Sequence, residues 1–194
     1  NFQIAVVKEK IILDFNKEDN YSLQRLDNFE AVLPILKRIQ NDTKVPYKDN
    51  WYLEKRYFNH PIYNYQVFGI KKQQIDSIIV AREIHQNETK ILRIVDFIGN
   101  PSDICGIGQE LQNLIDQKSY EYIDFYCDGI ANEILEKAGL KLKDEADLTI
   151  VPNYFEPFVQ ENVEIYYFTT HNESFPIFKA DGDQDRPSRS NLVS

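Results

Sequence analysis

The chain has 194 residues, with 22 Lys+Arg against 31 Asp+Glu and a formal net charge of −9 at pH 7. The acidic balance excludes nonspecific nucleic-acid binding, which runs on surplus Lys and Arg, and no uninterrupted apolar stretch approaches the ~18 residues that cross a bilayer. The length fits one large domain, and 12 Tyr and 12 Phe mark a packed fold rather than a disordered chain.

In chain order, residues 1 to 15 hold two apolar runs, Ile4–Val7 and Ile11–Leu13, and the second, ending in Asp14-Phe15, reads as a strand. Phe29, Val32, Leu33, Leu36 and Ile39 recur at helical spacing, with Asp27 or Asn28 as cap. Pro34 inside that stripe predicts a kink or a later helix start. Asp49 to Phe58 is a second short helix, closed by His60-Pro61. Tyr65–Ile70, Ser77–Ile84 and Lys90–Ile98 then read as an antiparallel three-strand meander.

Gly99 to Ser102 breaks the meander, and Ile104, Ile107, Leu111, Leu114 and Ile115 mark a helix. Tyr120–Cys127 is a strand, Ala131–Leu140 a helix with Gly139 near its end, and Leu148–Val151 with Val163–Thr169 a final strand pair. Residues 1–170 therefore read as one domain and 171–194 as a polar tail. A strand-helix-strand-helix unit after a meander predicts an α+β fold with a mixed, partly antiparallel central sheet and helices on both faces.

The only cysteines, Cys105 and Cys127, form no paired motif. They read as small core hydrophobes in a reducing, cytoplasmic compartment. The chain begins at Asn1 and contains no Met, so its start says nothing about a leader.

Gly106-Ile107-Gly108 stands at the start of the helix after the meander, where two glycines let a pyrophosphate approach backbone N–H groups. Together with the element order, Asp103-Ile104-Cys105-Gly106-Ile107-Gly108 and the helix Ala131 to Lys141 resemble the GNAT acetyltransferase superfamily over roughly residues 10 to 170. Tyr47 through Trp51, Arg56-Tyr57, His60-Pro61, Tyr65 and the stretch Phe178 to Pro187 are similar to GNAT-like proteins encoded with bacterial surface-polysaccharide genes. The resemblance implies an acyl-CoA-dependent N- or O-acyltransferase acting on a sugar or amino-sugar intermediate. It implies acetyl-CoA or another acyl-CoA as co-substrate, a sugar or amine acceptor, and the acyl-CoA held by Phe97, Ile98, Asp103, Gly106, Ile107 and Gly108. It leaves a homo-oligomer open.

Two departures favour a second reading, a non-catalytic GNAT-like module that binds a sugar nucleotide or a protein partner. Asp103 puts a negative charge where the family has Arg or Gln, and Leu135 stands where the family often has the Tyr that protonates the leaving thiolate.

The candidate catalytic residues are Asp96, Glu83 and His85. By strict alternation Asp96 shares a face with Leu92, Ile94 and Ile98. Burial there would raise its pKa and suit a general base. A bulged strand, or a tie to Arg82 or Arg93, is the structural alternative. Glu83 and His85 share a strand face, as a base pair or as a solvated edge. Trp51, Arg56 and His60 are candidate acceptor contacts, because the aromatic segment 47 to 68 suits sugar stacking as well as plain packing. Phe175 and Phe178 are expected to dock on the sheet or on the aromatic segment 47 to 68, carrying Asp181, Asp183, Asp185 and Arg186 to the rim of the acceptor pocket. No metal is expected, since Arg186 stands where a calcium loop needs its sharp-turn Gly.

Overall fold

Short apolar stretches between polar turns become strands because alternate residues can then face two different cores. The computed structural model describes residues 3–8, 21–39, 46–143, 148–154, 158–170 and 175–182. Its strands are β1 (Gln3–Lys8), β2 (Ser22–Arg25), β3 (Tyr65–Lys71), β4 (Ile75–Gln86), β5 (Thr89–Ile98), β6 (Tyr122–Asp128), β7 (Lys141–Leu142) and β8 (Ile177–Phe178). Its α-helices are α1 (Phe29–Ile39), α2 (Asn50–Leu53), α3 (Gly108–Lys118) and α4 (Asn132–Lys137). A π-helical turn (Glu54–Phe58) continues α2, and 3-10 turns cover Pro101–Gly106 and Lys179–Asp181.

The strands form one sheet in the order β2-β3-β4-β5-β6-β1-β7, with β8 paired to β6. Every pairing is antiparallel except β5 with β6, which is parallel. On one face, Ile104, Ile107, Leu111 and Ile115 join Leu135 and Ala138 against Leu92, Ile94 and Phe125. On the other, Val32, Ile35 and Leu36 of α1 and Leu53 and Tyr57 pack on Val67, Ile78 and Val80. This is the mixed α+β sheet with helices on both faces that the element order predicts, consistent with a GNAT-like fold.

Helix α1 starts where Asn28 accepts the Ala31 N–H at 3.0 Å, and it runs through Pro34 instead of starting after it. The expected C-terminal strand pair is not formed, since 148–151 and 163–169 have no strand pairing. Strand β6 has no edge left for them. Its one side is taken by β5 and β8, and its other by β1, with Ile4 opposite Tyr126 and Val6 opposite Asp124. Val151 and Ile165 instead bury their side chains on Tyr122 and Tyr126. The run Ile11–Phe15 lies outside the described residues.

One irregularity corrects the face assigned to Asp96. In the β4–β5 pairing Val80 opposes Asp96 but Ala81 opposes Ile94, so Val95 is an extra residue in β5. Such a bulge reverses the alternation beyond it. Leu92 and Ile94 stay with the α3–α4 side, as does Phe97. Asp96 turns to the α1–α2 side, where Ile98 also packs and where Tyr57 meets it.

Candidate functional site

Strands β5 and β6 pair only over Leu92–Ile94, opposite Ile123–Phe125. Beyond that point β8 lies against β6, with Phe178 opposite Cys127. Phe178 is 3% exposed. Its ring stacks on Phe125 at 5.6 Å and is tilted against Phe97 at 6.1 Å. Within the stretch expected as a tail, Phe178 thus docks as its apolar character predicts, while Phe175 remains half-buried.

Docking of β8 carries Asp181 inward. The Lys48 ammonium sits between Asp96 and Asp181, 2.8 Å from the latter, and all three side chains are buried. Its charge also lies 5.1 Å from the centre of the Phe178 ring. Asp96 further accepts the Tyr57 hydroxyl and, at 2.8 Å, the Phe97 N–H. Asp181 accepts the Phe178 N–H at 2.8 Å, and Tyr52 donates to the Ala180 carbonyl at 3.3 Å. Asp49 caps α2 on the Tyr52 N–H at 2.7 Å, and the π-helical turn that follows carries Tyr57.

The charges in this cluster are strongly coupled to burial. Burial pushes the Asp181 carboxyl up, and the neighbouring Asp96 charge adds to it, to about 6 despite Lys48. Burial works against the Lys48 charge, but Asp96 and Asp181 outweigh it and raise its pKa. Burial, with Asp96 beside it, raises Tyr57 well above the ordinary tyrosine value, so it is a fixed donor. Two carboxylates around one ammonium give a site with a surplus negative charge, closed to solvent.

The glycine loop is stitched to β4. Asp103 accepts the Ser77 hydroxyl, and Ser77 Oγ accepts the Asn100 N–H at 3.1 Å. Asn100 caps the 3-10 turn through the Ser102 N–H at 3.1 Å. The Tyr21 ring lies directly on Gly106, where an added Cβ would meet Tyr21 Cδ2 at 1.8 Å.

Glu83 and His85 stand apart from this cluster. Glu83 opposes Leu92 while Val80 opposes Asp96, so roughly 10 Å of strand lies between them at ~3.3 Å per residue. Glu83 takes His85 Nε2 at 2.6 Å, the Tyr120 hydroxyl at 2.7 Å and Lys90 at 3.3 Å. Although its partial burial opposes ionisation, these donors lower its pKa. Both residues line a cavity of about 740 Å³.

The remaining candidates divide. Trp51 is 68% exposed. The Arg56 guanidinium lies 6.0 Å from the Tyr52 ring centre. His60 Nδ1 accepts the Ile62 and Tyr63 N–H groups at 3.2 and 2.9 Å, which makes it a turn former. Asp183, Asp185 and Arg186 lie outside the described residues.

Sequence reasoning missed Lys48, which carries no motif and is set by Asp49 capping the next helix. Of the structural alternatives for Asp96, the bulged strand is the one found, and Arg93 is not its partner. Arg93 instead makes a buried two-pronged pair with Asp124, at 2.8 and 2.6 Å, and donates to the carbonyls of Pro152 and Asn153. Among the described residues no group of three or more His, Cys, Asp or Glu side chains could hold a metal, and no helix is long and apolar enough to cross a membrane. No protein-family model matches this chain, and no curated protein does.

Proposed function

We propose that this chain is a non-catalytic GNAT-like module that binds a sugar nucleotide and does not turn over acyl-CoA. The observation that carries the reading is β8, which occupies the gap between β5 and β6 with the buried Phe178 ring against Phe97. Three of the backbone N–H groups that the acyl-CoA reading would use are taken within the chain. The Phe97 N–H is bonded to Asp96, the Asp103 N–H to the Asn100 carbonyl, and the Ile107 N–H to the Ile104 carbonyl. The Tyr21 ring packs on Gly106 where a Cβ would stand. Asp103 adds a repelling charge, and Leu135, buried in the core, offers no acid. Free thiols at Cys105 and Cys127 suit a reducing, cytoplasmic setting.

Acyl transfer to a sugar or amine is the second reading. The parallel β5–β6 pairing that ends at Ile94 favours it, and it requires residues 175–182 to leave the gap. Isothermal calorimetry with acetyl-CoA and with UDP-N-acetylglucosamine separates the two. The module reading expects heat with the sugar nucleotide and none with millimolar acetyl-CoA. Saturable acetyl-CoA binding overturns it in favour of acyl transfer.

A further inference from the structure

The cavity that Glu83 and His85 line lies at the other end of β5 from the buried Asp96 cluster, between the segment leading into β3, the end of β4 and the last turn of α3. Its volume of about 740 Å³ is in the range of small-molecule sites. Its wall carries three cations, Arg25, Arg82 and Lys118, against one carboxylate, Glu83. That carboxylate is already engaged by Tyr120, His85 and Lys90. The wall is therefore positive on a protein of net charge −9, which selects an anion from solution.

Two features fit that anion to a phosphate group. The Arg82 guanidinium, on a residue 6% exposed, lies 3.9 Å from the Tyr63 ring centre, which holds its planar fork in place. Arg25 spends Nε and Nη2 on contacts of 3.3 and 3.4 Å to Asp27 and the Tyr65 carbonyl, long for hydrogen bonds. A guanidinium fork matches phosphate oxygens, the volume leaves room for more than a bare ion, and the Asn64 amide supplies a donor and an acceptor of the kind sugar hydroxyls use.

Resting on the binding-module reading, we infer that this cavity is the ligand site and that it takes a phosphorylated sugar, the sugar-phosphate part of a sugar nucleotide. The test is calorimetry with UDP-N-acetylglucosamine on the parent, Arg25→Glu, Arg82→Gln and Lys118→Glu, with Lys37→Glu on α1 as control. Lys118 is exposed, so its variant keeps the fold even if Arg82→Gln does not. The expected result is at least tenfold weaker binding for Arg25→Glu, several-fold weaker for Lys118→Glu, no change for Lys37→Glu, and competition by inorganic phosphate in the parent. Parent-like affinity in both Arg25→Glu and Lys118→Glu overturns the cavity while leaving the module reading standing. Binding that phosphate does not compete overturns the phosphate part. No binding of the sugar nucleotide by the parent overturns both readings.

Discussion

Replacing Phe178 with Ala tests whether the end of the chain is part of the fold. The side chain is 3% exposed and touches the rings of Phe97 and Phe125. Truncating a buried Phe to Ala costs about 3–5 kcal/mol through lost transfer energy and the cavity left behind. The lower end applies here, because β8 is two residues long and its backbone can move to close the hole. For a protein of this size, about 1 kcal/mol lowers Tm by roughly 2–4 °C, so the variant melts roughly 6–12 °C below the parent in scanning calorimetry. Phe178→Leu recovers part of that loss, since it refills volume without the ring. If 171–194 were a solvated extension, neither substitution would move the transition. A Phe178→Ala variant melting within about 2 °C of the parent refutes the docking of β8 and, with it, the observation behind the proposed function.

Lys48→Met leaves Asp96 and Asp181 buried without their shared cation, and should cost about 3 kcal/mol or more in urea unfolding at pH 7; a change under ~1 kcal/mol shows that the cluster is solvated. The Asp181 carboxyl has a pKa raised from 3.8 to about 6 by burial and by Asp96, so the folded protein holds a proton between those values that the unfolded chain has lost. Its contribution to stability is therefore fullest below pH 3.8, falls as pH rises to about 6, and is flat above. Subtracting the profile of Asp181→Asn from that of the parent should isolate this decline, on the order of 3 kcal/mol at most; a difference that rises with pH over that window contradicts the assigned environment.

Local pattern was enough for a good part of the fold. Three apolar stretches with polar turns between them specified the β3–β4–β5 meander, since a strand's alternation is written in neighbouring residues. The stripe Ile104 to Ile115 marked the helix after it, and Asn28 marked the start of α1. The strand-helix-strand-helix unit after the meander was sufficient for a mixed α+β sheet. Phe175 and Phe178, three residues apart, signalled that the chain end was not wholly polar, and one of the two is core.

What depends on partners distant in sequence was not legible. Leu92, Ile94, Asp96 and Ile98 keep a perfect period of two, so nothing local announces the extra residue at Val95; only the register against Val80 and Ala81 reveals that Asp96 faces the opposite core. Which strand fills the position beside β6 was likewise decided by competition for an edge, and β1 won it over the apolar stretches near 150 and 165. Asp96 and Asp181 were each picked out in the sequence, but their meeting at Lys48, from a central strand, a 3-10 turn and a loop, was not. Each buried charge is tolerable only because the others surround it. A free energy shared among three such separated segments belongs to the packed fold, so no single stretch of sequence shows which residues share it.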